Sequence, residues 1–123
     1  MGSDSTSDSN NPQLQDCLFC KMVRGEIPIQ KVFEDDHTLA FDDINPQAPT
    51  HVLIIPKTHT DSIADTKDPA IFAHVLASAQ KIAEAKSLSH FRIVSNNGQE
   101  AGQSVFHLHI HLLAGRPLSW PPG

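Results

Sequence analysis

The sequence predicts an α+β fold: a five-stranded antiparallel sheet with one long and one short helix. Short strand-like runs follow one another along the chain, with a single long amphipathic stretch between the third and the fourth. That order is typical of an antiparallel sheet carrying its helices on one side. The last run, His107-Leu108-His109-Ile110-His111-Leu112-Leu113, alternates strictly. Successive strand side chains point to opposite faces, so three imidazoles share one face while Leu108, Ile110 and Leu112 enter a core. A length of 123 residues suits one domain.

Met1 to Gln15 are almost without apolar residues and are expected to form a flexible tail, leaving 16–123 as the single domain. From Cys17 to Gly25, apolar Leu18, Phe19, Met22 and Val23 recur at helical spacing, with Gly25 placed to end a short helix. Lys31 to Glu34 and Thr38 to Asp42 read as strands joined by a turn at Asp35-Asp36. His51 to Ile55 is a third, stopped by Pro56. Asp68-Pro69 is a cap followed by a first-turn proline. Ile71, Phe72, Val75, Leu76, Ala79, Ile82 and Ala83 then mark the main helix, ending near Lys86. Phe91 to Ser95 and Phe106 to Leu113 complete the strands around a glycine-containing loop, and the histidine strand comes last.

Nine basic against fourteen acidic residues give a net charge of −5, with no run of Lys or Arg to neutralise a phosphate backbone. A nucleic-acid polymer is therefore not an expected partner. A small phosphorylated ligand is compatible, because backbone N–H groups and neutral donors bind phosphate without a basic surface. No apolar run is long enough to span a bilayer and no signal peptide is seen, so no membrane partner is expected. The expected location is cytoplasmic, with a nuclear pool as an alternative.

Three aligned imidazoles are costly to bury without function. Alternate histidines on a strand can meet one metal ion. Alternatively, one imidazole acts as a nucleophile while a hydrogen bond to its other nitrogen selects the tautomer. His109, in the middle, is the natural candidate. Just upstream, Gly102-Gln103-Ser104 supplies an amide and a hydroxyl suited to a phosphoryl group. His37, His59, His74 and His90 receive no role.

The motif from His107 to Leu113 resembles the one that names the histidine triad superfamily of nucleotide-binding phosphoramidases and nucleotidyl transferases. Three further blocks, Asp42 to His51, Gly102 to Phe106 and Trp120-Pro121-Pro122-Gly123, resemble its Hint branch, so the likeness covers roughly Cys17 to Gly123.

The resemblance implies a purine nucleoside phosphoramidase. His109 stands in the place of the nucleophile that attacks the α-phosphorus of an adenosine or guanosine 5′-phosphoramidate, forming a nucleotidyl-histidine that water hydrolyses. Ser104 stands where a hydroxyl meets the phosphate and the leaving amine. Asn96, Gln103 and His111 match phosphate-oxygen ligands, with Gly102 beside them. Asp43 matches a ribose-binding carboxylate, although on the residues alone it reads as a solvated turn aspartate. Leu18, Phe19, Met22, Ile27, Phe41, Ile44 and Leu53 match the nucleoside pocket, with plain core as the alternative for each, the pocket favoured for Phe19 and Ile44 and core at least equal for Leu53.

Cys17-Leu18-Phe19-Cys20 has the spacing that lets two thiolates reach one zinc ion. Superfamily members complete such a site with histidines matching His51 and His107, and the expectation is a closed structural zinc with no cofactor in the chemical step. The alternative implied by Hint proteins without the cysteines is a relay of His51 and His107 behind the nucleophile. The resemblance also implies a homodimer that extends the sheet across its two-fold axis and brings the Trp-Pro-Pro-Gly ending beside the partner's site. A diadenosine polyphosphate hydrolase, a non-enzymatic nucleotide-binding adaptor and a zinc enzyme using all three motif histidines are the rival readings.

Overall fold

A computed structural model describes residues 16–123; the expected flexible tail, 1–15, lies outside the described residues. Strand β1 (Lys31–Glu34) pairs with β2 (Thr38–Asp42), β2 with β3 (Thr50–Pro56), and β3 with β5 (Ile110–Ala114), whose other side carries β4 (Arg92–Val94). All pairings are antiparallel and the order is β1-β2-β3-β5-β4. The histidine strand is thus last in sequence but interior in the sheet. It is also shorter than expected, because regular pairing begins only at Ile110. Before it, the Leu108 N–H turns away to Thr60 O (2.6 Å), and Ser95 Oγ donates to His109 O (2.8 Å).

The two sheet faces separate the sequence by parity. Ala40, Val52, Ile54, Ile110 and Leu112 pack on one face against Val75, Ala79 and Ile82 of helix α2 (Pro69–Ala85). Leu39, Phe41, Leu53 and Ile55 pack on the other against Phe19 of helix α1 (Leu18–Val23). Alternation therefore sends His109 and His111 to the α1 face, away from the long helix.

Each helix is capped as its sequence requires. Asp68 accepts the Ala70 N–H at 2.9 Å ahead of Pro69. Cys17 Sγ accepts the Cys20 N–H at 3.3 Å, and Gly25, at φ +78°, lets the chain leave α1 sharply. A buried 2.6 Å hydrogen bond between Thr38 and Ser78 ties β2 to α2. Burying Val75 and Ile82 contributes about 1.5–3 kcal/mol each, the main term holding α2 to the sheet. No helix among the described residues is long and apolar enough to cross a membrane.

Candidate active site

A cavity of about 340 Å³ opens on the α1 face. Leu18, Phe19 and Met22 of α1 form one wall, Phe41 and Leu53 the floor, Asp43 and Ile44 one rim, Ser104 and Val105 the other, and His109 and His111 the end. Ile29, with Pro28 and Gln30, completes the wall where Ile27 was expected; half-buried Ile27 is not part of it. Ile44 is fully exposed, a side chain held at the mouth. Phe19 meets His109 edge-on, with ring centroids 5.2 Å apart. A larger open groove of about 590 Å³ along Lys31 to Asp36 carries no comparable chemistry. There Glu34 is neutralised by Lys31 and Lys57 (2.8 Å each), which hold its carboxyl down to about 2.

Fixed backbone groups determine the histidine tautomers at the cavity end. His109 Nδ1–H donates to His107 O at 2.8 Å, so Nε2 keeps its lone pair for the cavity. Burial lowers the pKa of His109 and keeps that ring neutral. The Gln47 N–H donates to His51 Nδ1 (3.0 Å), which places the His51 proton on Nε2; Nε2–H then donates to His111 Nδ1 (2.9 Å). His111 consequently carries its proton on Nε2, a donor for the cavity. Burial, with the neighbouring His109 and His51, pushes its pKa down to about 4, so the ring is a neutral donor at pH 7. A lone pair and an N–H thus sit side by side on rings 5.1 Å apart. That pairing suits attack on a phosphorus and binding of its oxygen.

Asp43, His51 and His111 also lie close enough to hold an ion. Their donor chemistry does not fit one, because His51 Nε2 carries the proton. Asp43 combines both expected readings: Oδ1 caps the turn by accepting the Asn45 N–H at 2.8 Å, and Oδ2 lies 3.4 Å from His51 Nε2 at the rim.

A second cluster lies behind the first. Cys17, Cys20, His59 and His107 converge, with Nδ1–Nδ1 at 3.2 Å and Sγ–Nδ1 distances of 3.3 to 3.5 Å. In a zinc tetrahedron with Zn–N about 2.05 Å and Zn–S about 2.3 Å, those edges are about 3.3 and 3.6 Å. His107 Nε2–H donates to Pro56 O (2.8 Å) and His59 Nε2 contacts Asp61 Oδ1 (2.7 Å). Both Nδ1 lone pairs therefore face each other, and each imidazole has the outer partner typical of a metal ligand. The set fits zinc. Burial pushes His107 down to about 4, keeping it neutral, and pushes the Cys20 thiol up to about 12 with help from the adjacent Cys17. A metal binding here must displace thiol protons.

This arrangement corrects the sequence reading. His59, given no role, takes the fourth position of the candidate metal site, and His51 does not belong to it. Nor do His51 and His107 form a relay, since His51 pairs with His111 and His107 with His59. The reason is register: His51, on β3, stands opposite Leu113 of β5, whereas His59 follows the end of β3 at Pro56, beside which His107 is buried. Spacing within Pro56-Lys57-Thr58-His59 holds no signal for this. Of the motif's three rings only His109 and His111 line the cavity.

Gln103, expected to bind phosphate, has a buried and fully engaged side chain. Its Nε2 donates to Asp61 O (2.7 Å) and Val105 O (3.1 Å), and its Oε1 accepts the Gly98 N–H (2.8 Å). It is a strut between loops. Gly102, at φ +106°, packs beside Asn96, and neither lines the cavity; Ser104 does. His37 and His74 stack face to face at 3.8 Å away from the site, and His90 is exposed.

Residues 24–118 match the HIT domain. The chain belongs to the HIT family. A HIT family hydrolase of Legionella pneumophila has a solved structure that superposes with a TM-score of 0.84 at 52% identity, covering 88% of this chain and all of that one. A 14 kDa zinc-binding protein of maize is 44% identical over 111 residues, 86% of this chain and 87% of its own. Adenylylsulfatase HINT1 of Arabidopsis thaliana is also 44% identical, over 86% of this chain and 76% of its own. The relatives of this HIT chain thus include Hint-like members and hydrolases, and its sheet and helices are those of the HIT fold.

Proposed function

We propose that this HIT protein is a purine nucleoside phosphoramidase acting through a covalent nucleotidyl-histidine. The observation that carries the reading is the fixed pair at the cavity end: a neutral His109 with Nε2 free beside a His111 locked as donor. His109 Nε2 forms a bond to the α-phosphorus as the P–N bond breaks, and the departing amine takes up a proton from solvent water. Ser104, which lines the same cavity, assists the leaving nitrogen with its hydroxyl. His107 O accepts from Nδ1–H and stabilises the positive charge that grows on the ring. Water then cleaves the phosphorus–nitrogen bond to His109, releasing the nucleoside monophosphate. The base lies over the floor of Phe41 and Leu53 and against Leu18 and Phe19, and Asp43 receives the ribose hydroxyls.

Cys17, Cys20, His59 and His107 would hold a structural zinc. Bound there, the ion would cross-link α1 to the segment before β5 with all four positions taken by the protein. A second copy of the chain pairs along β4, one of the two edge strands, just before which Phe91 is exposed. Trp120, 83% exposed, lies on the ending that would reach the partner.

The adenylylsulfatase relative supports the same first step with a different leaving group. The deciding experiment is rapid-quench mass spectrometry with adenosine phosphoramidate and adenylyl sulfate side by side. An adenylyl mass on His109, formed faster from the phosphoramidate, is expected; absence of an adduct from either substrate refutes the mechanism. The acid limb of kcat/KM for the phosphoramidate is expected below 6.5, the ordinary imidazole value, because the reactive form is neutral His109 and burial lowers its pKa. Measuring kcat/KM from pH 4 to 8 checks this, a limb above 6.5 being the contrary result.

A further inference from the structure

The proton on His111 is set by a chain that ends outside the cavity. Its first donor is the Gln47 N–H, on the loop between β2 and β3. The carbonyl of the same residue is gripped from the other side by the Arg116 guanidinium, Nε at 3.1 Å and Nη2 at 2.9 Å. Arg116 Nη1 closes onto Pro117 O at 2.9 Å, so the fork is anchored just past β5. Next to it Gly115, at φ +98°, lies so close to Pro49 that a Cβ would stand 2.8 Å from the proline's own. The exit from β5 therefore presses on the loop at Pro49 and pulls on it at Gln47.

We infer that Arg116 is a positioning residue for the nucleotidyl-transfer step, fixing the loop whose Gln47 N–H sets the tautomers of His51 and His111. This rests on the phosphoramidase reading for its kinetic consequence, but not for its structural one. If the Gln47 N–H drifts from His51 Nδ1, the His51 proton can move to Nδ1. His51 Nε2 then accepts, His111 Nδ1 must donate, and His111 turns a lone pair toward the phosphoryl oxygen. One shifted bond reverses the polarity of the whole chain. Asp43 Oδ2, 3.4 Å from His51 Nε2, favours the proton staying on Nε2, which limits the damage when Arg116 alone is lost. Full removal of a transition-state donor costs 10²- to 10³-fold in kcat, so a loosened one should cost about tenfold.

The test compares Arg116→Ala and Arg116→Lys with the parent in two measurements. The first is phosphoramidate kinetics: Arg116→Ala should lose about tenfold in kcat with KM changed less than about threefold, and Arg116→Lys, which keeps one donor, should recover part of it. The second is ¹⁵N NMR of the imidazoles. The parent should show both His51 and His111 protonated at Nε2, and Arg116→Ala should show a mixture of tautomers. Unchanged tautomers in Arg116→Ala overturn the inference whatever the kinetics, as does a mixture with parental kcat. A parent that turns over no phosphoramidate refutes the enzymatic reading instead, while the NMR comparison still judges Arg116.

Discussion

Replacing His109 with asparagine is expected to lower phosphoramidate turnover by roughly 10⁴-fold or more while AMP still binds. The asparagine amide can still donate to His107 O, as His109 Nδ1 does at 2.8 Å, so the local fold keeps its bond. What disappears is the Nε2 lone pair, for which no other side chain at the cavity end substitutes. His111 faces the cavity with a proton and His51 has both nitrogens engaged. Loss should therefore fall on kcat, with nucleotide affinity, on the proposed reading set by the cavity walls and Asp43, nearly unchanged. Isothermal titration with AMP beside steady-state kinetics separates the two effects. Turnover within tenfold of the parent would falsify His109 as nucleophile, and a parent that binds AMP but never turns over would make the protein an adaptor.

Removing zinc from the proposed site of Cys17, Cys20, His59 and His107 is expected to lower the melting temperature by about 10–20 °C. Free zinc at a thousandfold excess over its dissociation constant adds about 4 kcal/mol to the folded state. For a chain of this size each kcal/mol is worth about 3–5 °C. The ion would join α1 to the segment before β5, whose residues His107 and Leu108 are buried yet lie outside the regular ladder. Affinity should rise by up to about two log units per pH unit below neutrality, because two thiols surrender protons and burial holds the Cys20 thiol up at about 12. Calorimetric melting with chelator, then with zinc restored, checks this alongside metal analysis. A melting point indifferent to chelator, in a chain shown to have released its zinc, would remove the ion from the stability account. Activity that vanishes with zinc at temperatures where the fold persists would point to a zinc enzyme.

The elements were legible because each has a local cause. Asp68-Pro69 starts α2 wherever the chain goes, and Gly25 ends α1 because few other residues adopt its φ. The parity of Leu108, Ile110 and Leu112 against His107, His109 and His111 decides which side chains share a face, and the buried Leu108 and His107 lie before the start of regular pairing at Ile110. Gln103 was misread for the opposite reason. A glutamine in a glycine loop looks free to bind a ligand, and only the approach of Asp61, 42 residues away, shows its amide spent on the scaffold.

By sequence alone this chain determined the order and kind of its elements, the alternation that puts the motif's imidazoles opposite Leu108, Ile110 and Leu112, and His109 as the candidate nucleophile. Tertiary structure alone decided which histidine stands with which partner: His59 with the cysteines, His51 with His111. The physical reason is that alternation along a strand is a property of neighbouring residues. A metal cage or a proton chain needs lone pairs to converge within about 3.5 Å from segments far apart in the chain, and that convergence exists only once the sheet and loops have packed.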